Sequence, residues 1–346
     1  MRAAEIMKAI FRIKSRFSQR VGRAAAPPCW IIRMQRSIAL SLAFLLILPV
    51  QGYADTSLKA GIADSLNRAV PALLRRTSET LPAWVKRTDV SVRFDEDLKP
   101  LWSVETVQPL YQSRETVQHT FFTHGRFAHT THDDTVNLGF GYRYLTDDEN
   151  WLLGLNSFLD MTFARRHRRA SVGAEIIGHW LSISANYYES FSPHRFYTES
   201  SGTRVSEKAL DGWDVAGKVQ IPFLPWAEAQ LRGYGWQGVM LNDVEGYEIS
   251  CIMNLTSCLV FEFGRSDDDA GENNYAQISC TLGGPERVEY TLVNSFIQPT
   301  FFSEKDLKKQ VLAKVRREQD IVVEKIRSSA SGSGGVTGGI IISRGN

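Results

Sequence analysis

From about residue 88 onward the chain repeats one pattern, a segment of roughly ten residues in which apolar and polar side chains strictly alternate. Val90, Val92 and Phe94 alternate with Ser91 and Arg93. Leu138, Phe140, Tyr142 and Tyr144 alternate with Asn137, Gly139, Gly141 and Arg143. The same holds for Leu181, Ile183, Ala185 and Tyr187 against Ser182, Ser184, Asn186 and Tyr188, and for Trp213, Val215, Val219 and Ile221 against Asp214, Ala216, Lys218 and Gln220. Leu259–Gly264 and Ala276–Leu282 repeat it. A period of two places one apolar and one wet face on an extended chain. Twelve strands are expected, at 88–95, 99–109, 116–127, 133–145, 151–164, 168–177, 180–190, 210–222, 225–236, 247–254, 257–265 and 274–283. Most approach the ~9–11 residues that a tilted strand needs to cross a bilayer.

The wet face decides between a sandwich and a barrel. It carries Asp160, Glu175, Asp214, Glu228, Glu248 and Glu262 together with Arg143, Lys218 and Arg232. A dry sandwich core would not hold unpaired charges, whereas the lumen of a membrane barrel does. The expected fold is all-β: a twelve-stranded antiparallel transmembrane barrel over 88–283, with these nine residues facing the lumen. Connections 146–150, 178–179, 223–224 and 253–256 are short. Connections 191–209, 237–246 and 266–273 are longer and polar. That asymmetry matches short periplasmic turns and longer outer loops. Trp102, Trp151, Trp180, Trp213, Trp226 and Trp236 fall near expected strand ends, where an aromatic girdle would stand.

The longest apolar run, 38–50, lies at the other end of the chain and is too short for a spanning helix. Arg33 and Arg36 precede it and Gly52-Tyr53-Ala54 follows, which is the layout of a signal peptide cut after Ala54. Residues 1–54 are therefore read as leader and signal peptide, and the mature chain as an exported one bound for the outer membrane of a Gram-negative cell. The leader holds nine of the 40 basic residues and one of the 38 acidic ones, leaving the remainder at 31 against 37, net −6. An acidic body argues against nucleic acid as a partner.

Residues 55–87 carry Leu58, Ile62, Leu66, Val70, Leu73 and Leu74 at helical spacing, and a periplasmic helical segment is expected there. After the strands, Ser303 and Asp306 resemble a capping box, followed by the basic stretch Lys305, Lys308, Lys309, Lys314, Arg316 and Arg317. A basic helix over this stretch is expected, either solvated or drawn into an acidic lumen. Residues 321–323 read as extended. Residues 328–346, rich in Ser and Gly, read as a flexible tail. Once the leader is removed, Cys251, Cys258 and Cys280 remain, and free thiols are expected.

Several runs then fall into register with a known family. Asn137-Leu138-Gly139-x-Gly141-x-Arg143, Trp151-Leu152-Leu153-Gly154-x-Asn156-x-Phe158-x-Asp160, Arg169-x-Ser171-x-Gly173-x-Glu175, Leu181-x-x-Ser184-x-Asn186-Tyr187-Tyr188 and Gly212-Trp213-Asp214 resemble the β-domain of the intimin and invasin inverse autotransporters. Downstream, Arg317-x-x-x-Ile321-Val322-Val323-Glu324 resembles the segment that follows the family's last strand. The resemblance implies a twelve-stranded outer-membrane barrel with both ends of the barrel in the periplasm. It also implies that 284–327 threads the pore to the cell surface, with Lys308, Lys309, Lys314, Arg317, Ile321 and Glu324 on that path. In the family this linker leads to surface domains that bind host receptors, a link to adhesion and virulence. Here no peptidoglycan-binding module fits into 55–87, no passenger follows the linker, and the last strand ends Cys280-Thr281-Leu282 without a terminal aromatic. A barrel-only translocator is therefore expected, moving its own C-terminal segment or a separately encoded exoprotein outward. A porin-like channel and the remnant of a truncated adhesin gene are the alternatives.

Implied partners are outer-membrane lipid and lipopolysaccharide, the barrel-assembly machinery, periplasmic chaperones and an exported protein. Arg165, Arg166, Arg168 and Arg169 cluster at an outer hairpin as a candidate contact for lipopolysaccharide phosphates. His124, His129 and His132 with Asp133 and Asp134 fall on another expected outer hairpin, but their spacing fits no zinc pattern. Asp267-Asp268-Asp269 lacks the spacing of a calcium loop. No Ser and His are spaced for hydrolysis, so neither catalytic residues nor cofactors are expected.

Overall fold

The computed structural model describes residues 82–94, 100–113, 117–130, 133–199, 202–269, 271–281, 288–293, 295–328 and 336–341. The leader, the Ala54 cut and nearly all of the helical segment expected over 55–87 lie outside the described residues. What remains of that segment is a three-residue 3-10 turn, Val85–Arg87, running straight into the first strand.

Twelve strands close into one antiparallel barrel. In chain order they are β1 (Thr88–Phe94), β2 (Pro100–Gln112), β3 (His119–His129), β4 (Thr135–Leu145), β5 (Trp151–Thr162), β6 (Arg168–Gly178), β7 (Leu181–Ser190), β10 (Gly212–Ile221), β11 (Leu224–Trp236), β12 (Val244–Asn254), β13 (Leu259–Asp268) and β14 (Gly271–Thr281). Each pairs with its neighbour in sequence, and β14 returns to β1 with Asp89 opposite Thr281. Closure leaves the cylinder no unpaired edge, as lipid demands. No described helix is long and apolar enough to cross a membrane.

The alternation is visible in burial. Along β5 every second residue from Trp151 is exposed and every second from Leu152 is buried. The exposed set includes Leu153, Leu155, Leu159 and Met161, while the buried set includes Asn156 and Asp160. Apolar residues outside and polar ones inside invert the ordinary soluble arrangement, and lipid is the solvent that fits.

The two barrel ends differ. At the turn end, the connections among described strands are short, such as 146–150, 179–180, 222–223 and 255–258. In the first of these, Asn150 and Thr146 donate to the carboxylate of Asp148 and hold its pKa down to about 2. The opposite, loop end carries something the alternation does not reveal. Residues 191–209, read as a loop, contain a hairpin of β8 (Arg195–Thr198) and β9 (Arg204–Ala209). Two later strands join it, β15 (Val323–Ser328) and β16 (Val336–Ile341), in the order β16-β15-β9-β8. Part of the expected flexible tail is thus paired strand. Residues 266–273 are not a long loop either, because β13 and β14 stay paired as far as Asp268 opposite Gly271.

Two of the six girdle tryptophans face the wrong way. Trp236 is almost fully buried and packs with Tyr188, Tyr234, Leu210 and Val322. It shares the inward register of Arg232 and Tyr234, and its ring lies over Gly212 so closely that a Cβ there would stand 2.2 Å from it. Trp226 is buried too and donates its indole N–H to the carbonyl of Phe296. Trp102, Trp151 and Trp213 do face outward.

Candidate functional site

The inward residues of neighbouring strands form a lattice of charges over aromatic rings. On β4 the inward positions are Asn137, Gly139, Gly141 and Arg143. The two glycines are needed for close approach. A Cβ at Gly139 would lie 2.3 Å from the Phe158 ring, and one at Gly141 would lie 2.2 Å from Phe122. With the rings laid flat on bare backbone, cations cover them. Arg143 stands 4.7 Å above Phe122, and Arg317 stands 4.3 Å above Phe158. Cation–π attraction of this kind strengthens where water is excluded. Arg143 Nε also donates to Glu175 at 2.6 Å.

Asp160 is the centre of the lattice. Its carboxylate accepts from Arg169 at 2.9 Å, from Asn137 at 2.8 Å and from both terminal nitrogens of Arg317, at 2.9 and 2.6 Å. Three strands round the wall, Asp214 accepts from Asn186 and Tyr188, both at 2.7 Å. Arg232 bridges Asp214 to Glu318 and lies 3.9 Å from Glu248. Tyr275 donates to Glu248 and Glu262, and Arg316 also holds Glu262. Lys218 and Lys305 share Glu228.

Four of these partners, Lys305, Arg316, Arg317 and Glu318, come from the chain after β14. Ser303 N–H donates to Gln220 at the turn end, and the carbonyl of Lys305 meets His179 of the β6–β7 turn. Farther along, Leu307 and Val311 pack on Leu145 and Leu152, and Val315 joins Val107, Phe122 and Phe158. Lys314 lies 3.4 Å from both Asp89 and Glu105. Next come Arg317 on Asp160, Glu318 on Arg232 and Asp320 on Arg126. At the loop end, Leu210 N–H donates to the carbonyl of Val322, and Ile321 and Val323 pack on Ala209.

The helix expected over this stretch is absent; residues 303–324 hold only one helical turn, the 3-10 turn at Leu307–Gln310. Its cap is Asp306, which accepts from Lys308 N–H, so Ser303 is not the capping residue. The wall supplies the reason. Arg143 donates to the carbonyls of Val311 and Ala313, Asn186 to that of Arg316, Arg169 to that of Glu318 and Asn137 to that of Gln319. A carbonyl turned toward the wall is lost to an α-helical ladder, which needs it at the amide four residues on. Propensity and periodicity do not register such nonlocal donors.

At the loop end, Glu324 accepts from the backbone N–H groups of Val239, Met240 and Leu241, a three-amide cradle in the β11–β12 loop. Beside it, buried His167 lies 3.0 Å from Glu207 of β9, and Tyr197 donates to the same carboxylate. Burial raises the Glu207 pKa, but the hydrogen bonds from His167 and Tyr197 and the nearby charges of His167 and Lys325 together outweigh it, and the net shift is downward. A depressed carboxyl pKa stabilises the fold above the ordinary value of 4.5, and this contribution drains away as pH falls below that value. Amide exchange of residues 204–209 should therefore accelerate more between pH 5 and pH 3, after correction for intrinsic rates, than in a Glu207→Gln variant. Equal acceleration in both would contradict this account.

Other expected residues are placed as follows. Arg169 is fully buried on Asp160 and cannot belong to a surface cluster; its register is that of Ser171 and Glu175, which face inward. Arg166 and Arg168 are exposed, and Arg165 lies 3.5 Å over the Tyr197 ring. His124 is not on an outer hairpin. It sits in mid-β3, buried, 2.6 Å from Glu105. Lys308 and Lys309 stay at the turn end, paired with Glu149 and Asp306. Among the described residues no three His, Cys, Asp or Glu side chains are grouped to hold a metal, and Cys251, Cys258 and Cys280 are free thiols. Sequence reasoning missed Glu105 and Arg126, whose inward register follows from the same period of two, and Glu318 and Asp320, which carry no periodic signal.

The family model for the inverse autotransporter β-domain matches residues 50–319. The chain belongs to this family. Relatives of this inverse autotransporter include an attaching and effacing protein homolog of Escherichia coli (strain K12), 31% identical over 152 residues, which span 42% of the chain and 47% of the relative. The inverse autotransporter adhesin YeeJ of the same organism is 28% identical over 65% of the chain and 10% of its own length. Invasin of Yersinia enterocolitica is 28% identical over 55% and 21%. The chain thus spans less than half the length of these relatives. A barrel solved in a study of in-meso crystallization of membrane proteins overlays with a TM-score of 0.55, at 17% identity, covering 69% of the chain and 99% of that structure. An intimin/invasin-like outer-membrane β-barrel is the result.

Proposed function

We propose that this outer-membrane barrel is a translocator and anchor whose own post-barrel segment threads the pore. Residues 303–324 meet the turn end at Gln220 and His179 and the loop end at Leu210 and the β11–β12 loop. The observation that carries the reading is the clamp on this segment midway. Arg317 is bidentate on Asp160, while Arg143, Arg169, Asn137 and Asn186 capture its carbonyls. A porin would leave those side chains to water. Emergence beside β9 would deliver whatever follows residue 328 to the cell surface, in keeping with adhesion and virulence roles, and a separately encoded exoprotein could use the same route. Arg165, Arg166 and Arg168 are positioned for lipopolysaccharide phosphates at that end, and barrel-assembly machinery and chaperones would deliver the chain. No catalytic step is part of this proposal.

An epitope placed after Asn346 tests it. On intact cells it should bind antibody and be removed by added protease, while an epitope inserted in the 146–150 turn should need a permeabilised outer membrane. Protection of the C-terminal epitope in intact cells would contradict the proposal.

A further inference from the structure

Residues 291–293 and 295–303 cross the turn end outside the strand ladder. Leu292 N–H donates to the carbonyl of Asn254, Gln298 N–H to that of Phe223, and Phe223 N–H to that of Phe301. The Phe296 carbonyl takes the Trp226 indole, and the Phe302 ring stacks on Trp180 at 4.7 Å. This strap is therefore fastened to three successive hairpin connections. Six of its side chains are inverted. Thr291, Ser295 and Ser303 are 3%, 8% and 8% exposed, whereas Val293, Phe296 and Phe301 are 77%, 64% and 56% exposed. Were water the only surrounding phase, the hydrophobic effect would favour the opposite choice at each position. The same inversion marks the barrel wall, where Leu155 and Leu159 face out and Asn156 and Asp160 face in.

We propose that this strap is a membrane-interface anchor, with Val293, Phe296 and Phe301 seated at the phospholipid headgroup–acyl boundary of the leaflet at the turn end. Continuity with the barrel's apolar exterior argues for lipid as the occupant. Trp151 faces outward at this same end, and Phe301 packs edge-on against Phe223 of the β10–β11 turn. Aromatic side chains favour this depth of a bilayer. The strap lies just ahead of Ser303, where the inward-held chain begins, so anchoring it would fix the point of entry. The inference rests on the outer-membrane placement of the barrel and is independent of what the chain carries.

Single nitroxide side chains test it, placed at 293, 296 or 301 in the full chain with Cys29, Cys251, Cys258 and Cys280 replaced by serine. Each variant is folded into phosphatidylethanolamine–phosphatidylglycerol vesicles and checked for heat-shifted gel migration. Leu155→Cys supplies the lipid reference and Asp147→Cys the water reference. All three strap positions should collide with oxygen in several-fold preference to a soluble nickel chelate, as at 155. Preference for nickel at the strap, with 155 still in lipid, would overturn the anchor and would favour a soluble protein partner. Preference for nickel at 155 as well would overturn the barrel placement itself.

Discussion

Deleting residues 303–327 should convert a nearly silent barrel into a steadily conducting one in planar bilayers. The deleted stretch supplies Lys305, Lys314, Arg316, Arg317, Glu318 and Asp320, each paired with an inward side chain of the wall. Without it, Arg143, Arg169 and Arg232 face the lumen beside Glu175, Asp160 and Asp214. Charged walls of that kind hold water and pass ions. The strand ladder itself is untouched, because all twelve pairings lie between residues 88 and 281. The truncated chain should thus still fold and still migrate as a heat-shifted band. Equal conductance in the full and truncated chains would show that the segment does not obstruct the pore.

Replacing Asp160 should weaken the folded barrel more than any other single change to the lattice. It is the shared acceptor of Arg169, Arg317 and Asn137, and its own side chain is fully buried. Asp160→Asn leaves two guanidinium groups without their carboxylate in a water-poor interior. Breaking a buried ion pair from one side costs about 3–5 kcal/mol. The urea midpoint of the gel-shift transition should fall accordingly, and bursts of conductance should appear as the segment loosens. Adding Arg317→Met removes one stranded charge and keeps the stem that covers Phe158, so it should restore part of the loss. If the single variant melted like the parent, the clamp would carry no weight.

How much of this was legible depends on whether the signal is local. A period of two is local, and it located the twelve barrel strands to within a few residues at most ends. The same period governs which face each residue takes, because one register shift would send every charge into lipid, yet Glu105 and Arg126 were not read from it. The motif glycines are legible only as family-like spacing until the rings of Phe122 and Phe158 are seen lying on them. The post-barrel segment was misread as a helix because its hydrogen-bond partners, Arg143, Asn137, Asn186 and Arg169, lie 130 to 182 residues away. The pairing of β9 with β15 escaped for the same reason. Arg204–Ala209 is short, and its partner strand arrives only at Val323. Arg169 was grouped with its exposed neighbours because adjacency in sequence hides alternation of face.

The path of the chain from the turn end to the loop end is the claim on which the rest stands, and one cross-link addresses it. Val323 lies directly opposite Ala209 in the β15–β9 ladder. Opposed antiparallel residues have Cα atoms about 4.5–5.5 Å apart, within the range of a disulfide. In a chain whose four native cysteines are serine, Ala209→Cys with Val323→Cys should link in folded barrels under mild oxidation, giving a band shift that reductant reverses. Two free thiols in a correctly folded barrel, both open to alkylation, would contradict the account.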